Sequence, residues 1–243
     1  MKDRKFLSET LKAYKNDLTN DQLDQFDKYY DYMIKINESM NLTAITDYED
    51  VVIKHFADSL SLSRIIDLEG KDLKILDIGT GAGFPGIPLK IAYPEINITL
   101  LDSLNKRVDF LNNVIDMLNL NESGSISAIH DRAEDYIKNP GIRESYDLTV
   151  SRAVASLNIL CEYSLPYLKE GGCFVSYKSE NADAEITEAE NAIKILGGIT
   201  EKTESFTLPE SDNKRTLILI KKICPTPEKY PRRAGVAVKK PIK

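Results

Sequence analysis

The chain has 243 residues, of which 42% are hydrophobic, so one α/β domain can form a core without disulfides or a metal. Its apolar runs are far shorter than the about 18 residues of a membrane-spanning helix, and the charged start, Met1–Leu7, lacks the apolar stretch of a signal peptide. The three cysteines, Cys161, Cys173 and Cys224, form no CxxC pair, which is typical of reduced thiols. The composition therefore predicts a cytoplasmic globular protein.

The charge is unevenly distributed along the chain. The formal net charge is −6, yet eight basic residues and one acidic residue lie from Lys221 to the end, which puts +7 on this segment and −13 on the remainder. A basic strip of this kind can bind phosphates through counterion release, while an acidic body discourages non-specific adhesion. A solvated tail without a partner explains the charge equally well.

The first third of the chain has the periodicity of helices. Thr19 and Gln22 have the spacing of a capping box, and so have Thr46 and Glu49. Apolar residues recur at helical intervals after each pair, and the segment 40–46 connects the two helices. The pattern predicts a helical extension that packs on the rest of the protein.

From Leu73 onward, short apolar runs alternate with helical patterns, which predicts βαβ units and a largely parallel sheet. Strands are predicted at 73–78, 96–101, 125–130, 147–151, 173–177, 199–208 and 216–223. Helices are predicted at 88–92, 104–120, 157–168 and 182–196. The last two strands are separated by a polar loop, so they are predicted to form a hairpin that makes the end of the sheet antiparallel. The resulting division is a helical extension (1–66), an α/β core (67–224) and a basic C-terminal tail (225–243).

A glycine-rich loop follows the first predicted strand. Gly79, Gly81 and Gly83 allow a tight turn and a close approach to a ligand, and the amides of the next helix face the same place. The loop therefore predicts a nucleotide-like cofactor site at the carboxyl edge of the sheet. Gly81 to Gly86 formally match a dinucleotide fingerprint, but such a match alone is weak.

Two acidic residues refine the prediction. Asp77 begins an Asp-x-Gly-x-Gly-x-Gly string that resembles motif I of class I methyltransferases, in which the acid lies near the ammonium end of S-adenosylmethionine. The same carboxylate would repel a pyrophosphate. Asp102 ends the second strand 23 residues after Gly79, close to the about 20 residues expected of a ribose-binding acid. Because both cofactors contain a ribose, Asp102 does not choose between S-adenosylmethionine and NAD.

Other catalytic machinery is absent from the sequence. The segment 147–156 has no Asn-Pro-Pro-Tyr cluster for an exocyclic amine, and the three cysteines fit core positions better than that of a nucleophile. The two histidines, His55 and His130, are 75 residues apart and have no metal-binding spacing. Guanine N7 would suit such a site because its free electron pair can attack a sulfonium methyl without first losing a proton.

Nearly end to end, the chain resembles the bacterial glucose-inhibited division protein B family, ribosomal RNA small subunit methyltransferase G. The resemblance implies a class I, Rossmann-like methyltransferase that transfers a methyl group from S-adenosylmethionine to guanine N7 in 16S rRNA. The matching strings are Met-Asn-Leu-Thr-Ala-Ile-Thr (40–46), Lys-His-Phe-Ala-Asp-Ser-Leu (54–60), the loop 77–88, Leu-Asp-Ser-Leu-Asn-Lys-Arg-Val (101–108), Ser-Arg-Ala-Val-Ala-Ser-Leu (151–157) and Tyr-Pro-Arg-Arg-Ala-Gly (230–235). One departure is the tail after Gly235, which lacks the family's usual Thr-Pro.

The resemblance also implies roles for individual residues. Arg152 is expected beside the transferred methyl group, as the catalytic residue and as a cofactor contact. The other residues expected to bind the cofactor are Asp77, Gly79, Gly81, Gly83, Phe84, Asp102, Ala133 and Glu134. Those expected on the RNA side are His55, Asp58, Lys106, Arg107, Arg232 and Arg233. We expect a monomer that needs no metal or membrane and acts on 16S rRNA of the small ribosomal subunit. An NAD-dependent oxidoreductase and a non-catalytic RNA-binding or ribosome-assembly protein are the alternatives.

Overall fold

A single sheet organises the protein in a computed structural model that describes residues 2–15, 17–152, 155–179 and 182–243. Its seven strands are β1 (Lys74–Ile78), β2 (Asn97–Asp102), β3 (Ile126–His130), β4 (Tyr146–Arg152), β5 (Leu168–Lys178), β6 (Gly198–Thr207) and β7 (Lys214–Lys222). Their order is β3-β2-β1-β4-β5-β7-β6, and β7 runs antiparallel to both of its neighbours while the other pairs are parallel. The predicted mainly parallel sheet with an antiparallel end is confirmed.

The helices of the described residues follow the expected alternation with strands from β1 to β6. Those before the sheet are α1 (Arg4–Leu11), α2 (Asn20–Met40), α3 (Tyr48–Val51) and α4 (Asp58–Leu60), with a π-helical turn at Val52–Ala57 and a 3₁₀ turn at Ser61–Arg64. Those within and after it are α5 (Gly86–Ala92), α6 (Asn105–Met117), α7 (Ala133–Tyr136), α8 (Leu157–Ser164), α9 (Ala182–Ile195) and α10 (Val236–Lys239).

The sheet is covered on both faces, as side-chain alternation along a strand requires. On β7, Leu217 and Leu219 belong to a large core that includes α2, α5 and α6, whereas Ile218 and Ile220 belong to a second core with α8 and α9. All four side chains are at most 4% exposed. Strands that are buried on both sides read as continuous apolar runs, which is why the sequence pattern located them well.

The N-terminal helices pack against the helices that follow β1 and β2. Gln22 donates to the backbone carbonyl of Ile91 at 2.7 Å, and Gln25 donates to that of Leu118 at 2.7 Å. Phe26, next to Gln25, is fully buried in the large core. Burial of one such side chain stabilises a fold by roughly 1.5–3 kcal/mol.

Two predicted helix boundaries need correction. The capping box of Thr19 and Gln22 is present at the start of α2, but the next helix is capped by Asp47, whose side chain accepts from Asp50 N, and not by Thr46. The helix predicted to reach residue 168 ends at Ser164, because Pro166 lacks an amide hydrogen and disfavours helical geometry in the residue before it.

The C-terminal tail follows a fixed path over the second core. Arg143 donates to the carbonyls of Tyr230 and Thr226, each at 2.8 Å, and Asn158 donates to that of Ile242 at 3.5 Å. Lys222, one of the eight basic residues from position 221 onward, is fully buried and hydrogen-bonds inside the protein. The exposed basic residues of this segment are Lys229, Arg233, Lys239, Lys240 and Lys243.

A search of the described residues found no helix with the length and apolarity that crossing a bilayer requires.

Two glycines with nearly equal backbone angles provide a test of the packing between β6 and the end of β7. Gly171 has φ +84° and open space where a Cβ would lie, whereas at Gly197, φ +88°, a Cβ would overlap the carbonyl oxygen of Cys224. We expect Gly171→Ala to lower the free energy of unfolding by about 1 kcal/mol, the cost of left-handed backbone for alanine. Gly197→Ala should cost roughly 1–3 kcal/mol more, because of the overlap. Urea unfolding of both variants measures the difference, and equal losses would contradict this packing.

Candidate cofactor and methyl-transfer site

The parallel strands bring their carboxyl ends to one edge of the sheet. Asp77 on β1 lies level with Leu100 on β2 and with Val150 on β4, and Asp102 ends β2 opposite His130. Ligands of open parallel sheets bind outside this edge. The acids that the sequence singled out are therefore assembled where a cofactor would lie.

Asp77 holds the glycine-rich loop from beneath. Its Oδ2 accepts from the hydroxyl of Thr80 at 2.6 Å and from Gly86 N at 2.9 Å. Its side chain is fully buried, and the loss of hydration raises its pKa to about 7. The structure places Asp77 under the loop, where it fixes the turn, and its expected position at the ammonium end of the cofactor stays a prediction.

The three glycines of the loop serve two different purposes. Gly79 and Gly81 have φ angles of +70° and +63° and line the open side of the loop. Gly83, φ +99°, faces the interior, where an added Cβ would come within 2.8 Å of the hydroxyl oxygen of Tyr29. That hydroxyl donates to the carbonyl of Ala82, so α2 supports the loop from behind.

Asp102 has hydrogen-bond donors on both of its carboxylate oxygens. Its Oδ2 accepts from Gly81 N at 2.9 Å and its Oδ1 accepts from Leu104 N at 2.9 Å, while Arg107 Nη1 lies 3.5 Å from Oδ2. The side chain is 3% exposed but still lines the open edge. Because Oδ1 accepts from only one described donor, it has a second lone pair with which Asp102 can still accept from a ribose hydroxyl.

Three connected clefts run along this edge. The first, of about 220 Å³, is lined by Ile78, Gly79, Leu101, Asp102, Ser103, residues 131–134, Tyr163, Gly235 and Val238. The second, of about 400 Å³, is lined by Leu42, Thr43, His55, residues 79–82, Phe84, Asp102, Ser103, Arg107 and Arg152. The third, of about 430 Å³, is lined by Ile45, Lys54, His55, Asp58, Arg152, residues 177–179, Glu185 and Arg215. Asp102 stands between the first and second clefts, and Arg152 and His55 stand between the second and third.

The first cleft is closed by the C-terminal tail. Glu134 is 5% exposed, and its Oε1 accepts from Gly235 N at 3.0 Å. Ala133, beside it, is also buried, and its carbonyl accepts from the hydroxyl of Tyr167 at 2.5 Å. Both residues that the sequence predicted here do line the cleft, whereas the contribution of Gly235 to its wall was not foreseen.

Arg152 is held by a network of polar contacts between the second and third clefts. Its Nη1 donates to the carbonyl of Lys54 and to Asp58 Oδ2, both at 3.0 Å, and Nη2 lies 3.1 Å from His55 Nδ1. Asp58 Oδ1 accepts from a second arginine, Arg215, at 3.1 Å. Arg152 was predicted beside the methyl-transfer position, and the structure adds a buried carboxylate that fixes its direction.

Phe84 packs between the residues of this network. Its ring lies 4.4 Å from that of His55, and the guanidinium carbon of Arg152 lies 4.9 Å from the ring centroid. Burial and the charge of Arg152 lower the pKa of His55 to about 3, so the imidazole is neutral near pH 7. The second cleft thus combines an aromatic wall with a fixed cation.

The residues expected on the RNA side lie in different surroundings. Arg107 lines the second cleft, Lys106 is exposed beside it, and Arg233 is exposed on the tail. Arg232 differs, because its guanidinium donates to both oxygens of Glu162, which is 1% exposed. Arg232 therefore anchors the tail, Arg233 is the exposed member of the pair, and a contact of either residue with RNA stays a prediction.

Neither a thiol nor a metal centre lines these clefts among the described residues. Cys161 is buried, which raises the pKa of its thiol, and Cys173 is partly buried, but Cys224 is exposed. The expectation of three core thiols is wrong for Cys224, because the chain leaves the sheet just before it. A search of the described part of the chain found no group of three metal-ligating side chains.

Sequence reasoning missed the side chains that reach the site from distant elements. Arg215 lies on β7, 157 residues from Asp58, and no spacing indicates such a contact. Thr43 lies in the connector 40–46, which resembles the family, but its sequence position indicates no role. Only the folding of the chain brings Arg215 and Thr43 to the clefts.

The sheet order and the acids of the edge define a class I methyltransferase fold. A nicotinamide-binding Rossmann sheet has the order 3-2-1-4-5-6, whereas here an antiparallel strand lies between β5 and β6. The chain is similar to the crystal structure of M. jannaschii TYW2 in complex with AdoMet, with a TM-score of 0.53, 13% identity and coverage of 69% of this chain and 77% of that one. TrmN from Thermus thermophilus matches with a TM-score of 0.53, 14% identity and coverage of 71% of this chain and 53% of that one.

The family follows from the sequence comparisons. The family GidB, described as rRNA small subunit methyltransferase G, matches residues 22–218. Ribosomal RNA small subunit methyltransferase G of Lachnoclostridium phytofermentans is 50% identical over 242 residues, covering 100% of this chain and 98% of that protein. The protein of the same name from Acetivibrio thermocellus is 48% identical over 242 residues, covering 100% and 98%. The chain belongs to the GidB family of rRNA small subunit methyltransferases, and the resemblance noted in its sequence is confirmed.

The position of Asp102 predicts that it controls cofactor affinity. Asp102→Ala should weaken binding of S-adenosylhomocysteine at least tenfold, because hydrogen bonds to a charged group contribute about 1.5–3 kcal/mol each. Asp109→Ala is the matched control, since this exposed acid lies on the adjacent helix α6 and outside the clefts. Titration calorimetry measures both affinities. A normal affinity in Asp102→Ala would contradict the assignment of Asp102.

The position of Arg232 predicts an effect on stability that its neighbour lacks. Arg232→Met leaves the buried Glu162 carboxylate without its cation, which should lower the free energy of unfolding by about 3–5 kcal/mol. Arg233→Met changes an exposed side chain and should shift that free energy by less than about 0.5 kcal/mol. Urea unfolding monitored by circular dichroism compares the two. Equal stabilities would mean that Arg232 is as free as Arg233.

Proposed function

We propose that this protein transfers the methyl group of S-adenosylmethionine to N7 of a guanine in 16S rRNA of the small ribosomal subunit. The observation that carries the proposal is the organised cleft edge around Asp102 in a chain of the GidB family. Relatives of nearly half identity and equal length carry the name ribosomal RNA small subunit methyltransferase G. The same family membership speaks against the oxidoreductase alternative.

The residues of the clefts fit S-adenosylmethionine, which supplies an electrophilic methyl group on a positively charged sulfur when it is bound. Asp102 would hold a ribose hydroxyl, and Ala133 and Glu134 would border the adenine in the first cleft. Gly79 and Gly81 leave room for a close approach at the junction with the second cleft. Asp77 and Gly83 contribute indirectly, by fixing the loop on which these contacts depend.

The chemistry needs no acid, base or nucleophile from the protein. In the proposed reaction the N7 electron pair would form a bond to the methyl carbon as the carbon–sulfur bond breaks, with the electrons of that bond left on sulfur. Because no proton moves, the protein contributes mainly orientation and exclusion of water. At the second cleft, Phe84 and Arg152 would provide this orientation and exclusion of water. Arg152 would do so by holding a charged or polar group of a ligand in one direction.

The RNA would approach over the exposed cations that flank the clefts. Arg107 and His55 line the second cleft, and Lys106 lies beside it. Arg233 lies on the tail, which forms part of the wall of the first cleft. Cations of this kind attract phosphates sequence-independently, so binding should weaken with salt. A small-subunit substrate would place the enzyme in the cytoplasm. One chain carries all the proposed contacts, which is consistent with a monomer.

A methyl-transfer assay with nucleoside analysis tests the proposal. Purified protein is incubated with labelled S-adenosylmethionine and unmethylated 16S rRNA, both naked and in 30S subunits. We expect label in 7-methylguanosine and at least tenfold slower labelling by Asp102→Ala. Label in another nucleoside would overturn the target atom but keep the reaction class. RNA binding without any transfer would favour the non-catalytic assembly protein, and stabilisation by NAD alone would favour the oxidoreductase.

A further inference from the structure

The connector between α2 and α3 places one hydroxyl group in the second cleft. Thr43 lines that cleft together with Phe84 and Arg152. Its backbone is clamped by Asn37, whose side chain accepts from Thr43 N at 2.9 Å and donates to Thr43 O at 3.0 Å. The hydroxyl is therefore fixed in position at the place where methyl transfer is proposed.

The direction of hydrogen bonding through His55 is set by Arg152. A guanidinium can only donate, so His55 Nδ1, 3.1 Å from Arg152 Nη2, must be the nitrogen without hydrogen. The carbonyl of Lys54, also 3.1 Å from Nδ1, accepts instead from Arg152 Nη1. Because the pKa of His55 is about 3, the ring is neutral, and its one hydrogen is on Nε2.

This tautomer fixes the role of the Thr43 hydroxyl. His55 Nε2 donates to Thr43 Oγ1 at 2.9 Å, and Ile45 N donates to the same oxygen at 3.0 Å. A hydroxyl oxygen has two lone pairs, and both are now occupied. Its hydrogen has no acceptor within the described part of the chain, so Thr43 can act towards a ligand only as a donor.

We propose that the Thr43 hydroxyl donates a hydrogen bond to O6 of the target guanine and thereby selects guanine over adenine. The inference rests on the proposed function. On the purine edge that carries N7, guanine presents the acceptor O6 beside N7, whereas adenine presents an amino donor there. A hydroxyl that can only donate matches O6 and opposes the amino group of adenine. Contact at O6 also leaves the N7 electron pair free for the methyl carbon.

Three variants of the full-length protein test this role. Thr43→Val removes the hydroxyl at nearly constant shape, Thr43→Ser retains it, and Thr46→Val makes the same change at an exposed position of the connector. For Thr43→Val we expect kcat/KM for unmethylated RNA to fall about tenfold or more, with S-adenosylhomocysteine affinity within about twofold of wild type. Thr43→Ser and Thr46→Val should stay within about threefold of wild type. A loss of S-adenosylhomocysteine affinity in Thr43→Val would instead make the cofactor the acceptor and overturn the inference.

A modified substrate separates recognition of O6 from a structural effect of the substitution. In 16S rRNA assembled by ligation, 2-aminopurine replaces the target guanine, keeping N7 but lacking O6. For each protein we compare kcat/KM on natural RNA with kcat/KM on the modified RNA. The decrease should be at least about tenfold larger for wild type than for Thr43→Val, because the variant makes no contact with O6 on either RNA. Equal losses would overturn the inference while leaving the proposed function intact. Absence of 7-methylguanosine from the wild-type reaction with natural RNA would overturn the proposed function, and the inference with it.

Discussion

The buried carboxylate of Asp58 joins three separate parts of the chain. It belongs to the N-terminal helical segment, yet its two oxygens accept from Arg152 on β4 and Arg215 on β7. Taking these charges out of water is costly, and their attraction offsets this cost only while all partners are present. The orientation of the N-terminal segment on the sheet therefore depends on this ion cluster as well as on apolar packing.

The geometry of the site follows from the same cluster. With Arg152 fixed, its second nitrogen determines the tautomer of His55, and the tautomer determines what Thr43 can do. Phe84 is packed against both Arg152 and His55, so the aromatic wall of the second cleft is fixed with them. Polar groups that hydrogen-bond to one another in a network are held rigidly, and rigidity is what a reaction without acid–base groups requires of its site.

The sequence predicted the parts of the structure that depend on local pattern. The strand β7 contains a continuous apolar run at residues 217–220, and the loop after β1 has its glycines at a recognisable spacing, so the sequence alone locates both. The family resemblance added Arg152, Glu134 and their neighbours. What could not be predicted depends on contacts between distant elements: the pairing of Asp58 with Arg215, the capture of Arg232 by Glu162, and the burial of Lys222. The sequence does not show whether a basic residue faces phosphate or a buried carboxylate, because its partner is determined by the fold.

The hydrogen bond from Gly235 to Glu134 has a consequence for synthesis of the protein. The wall of the first cleft contains Gly235 and Val238, which are translated after all seven strands of the sheet. Until these residues are made, a nascent chain contains all the strands and the glycine-rich loop but lacks this wall of the first cleft. The wall of the first cleft is thus completed only when the tail has folded back onto Glu134.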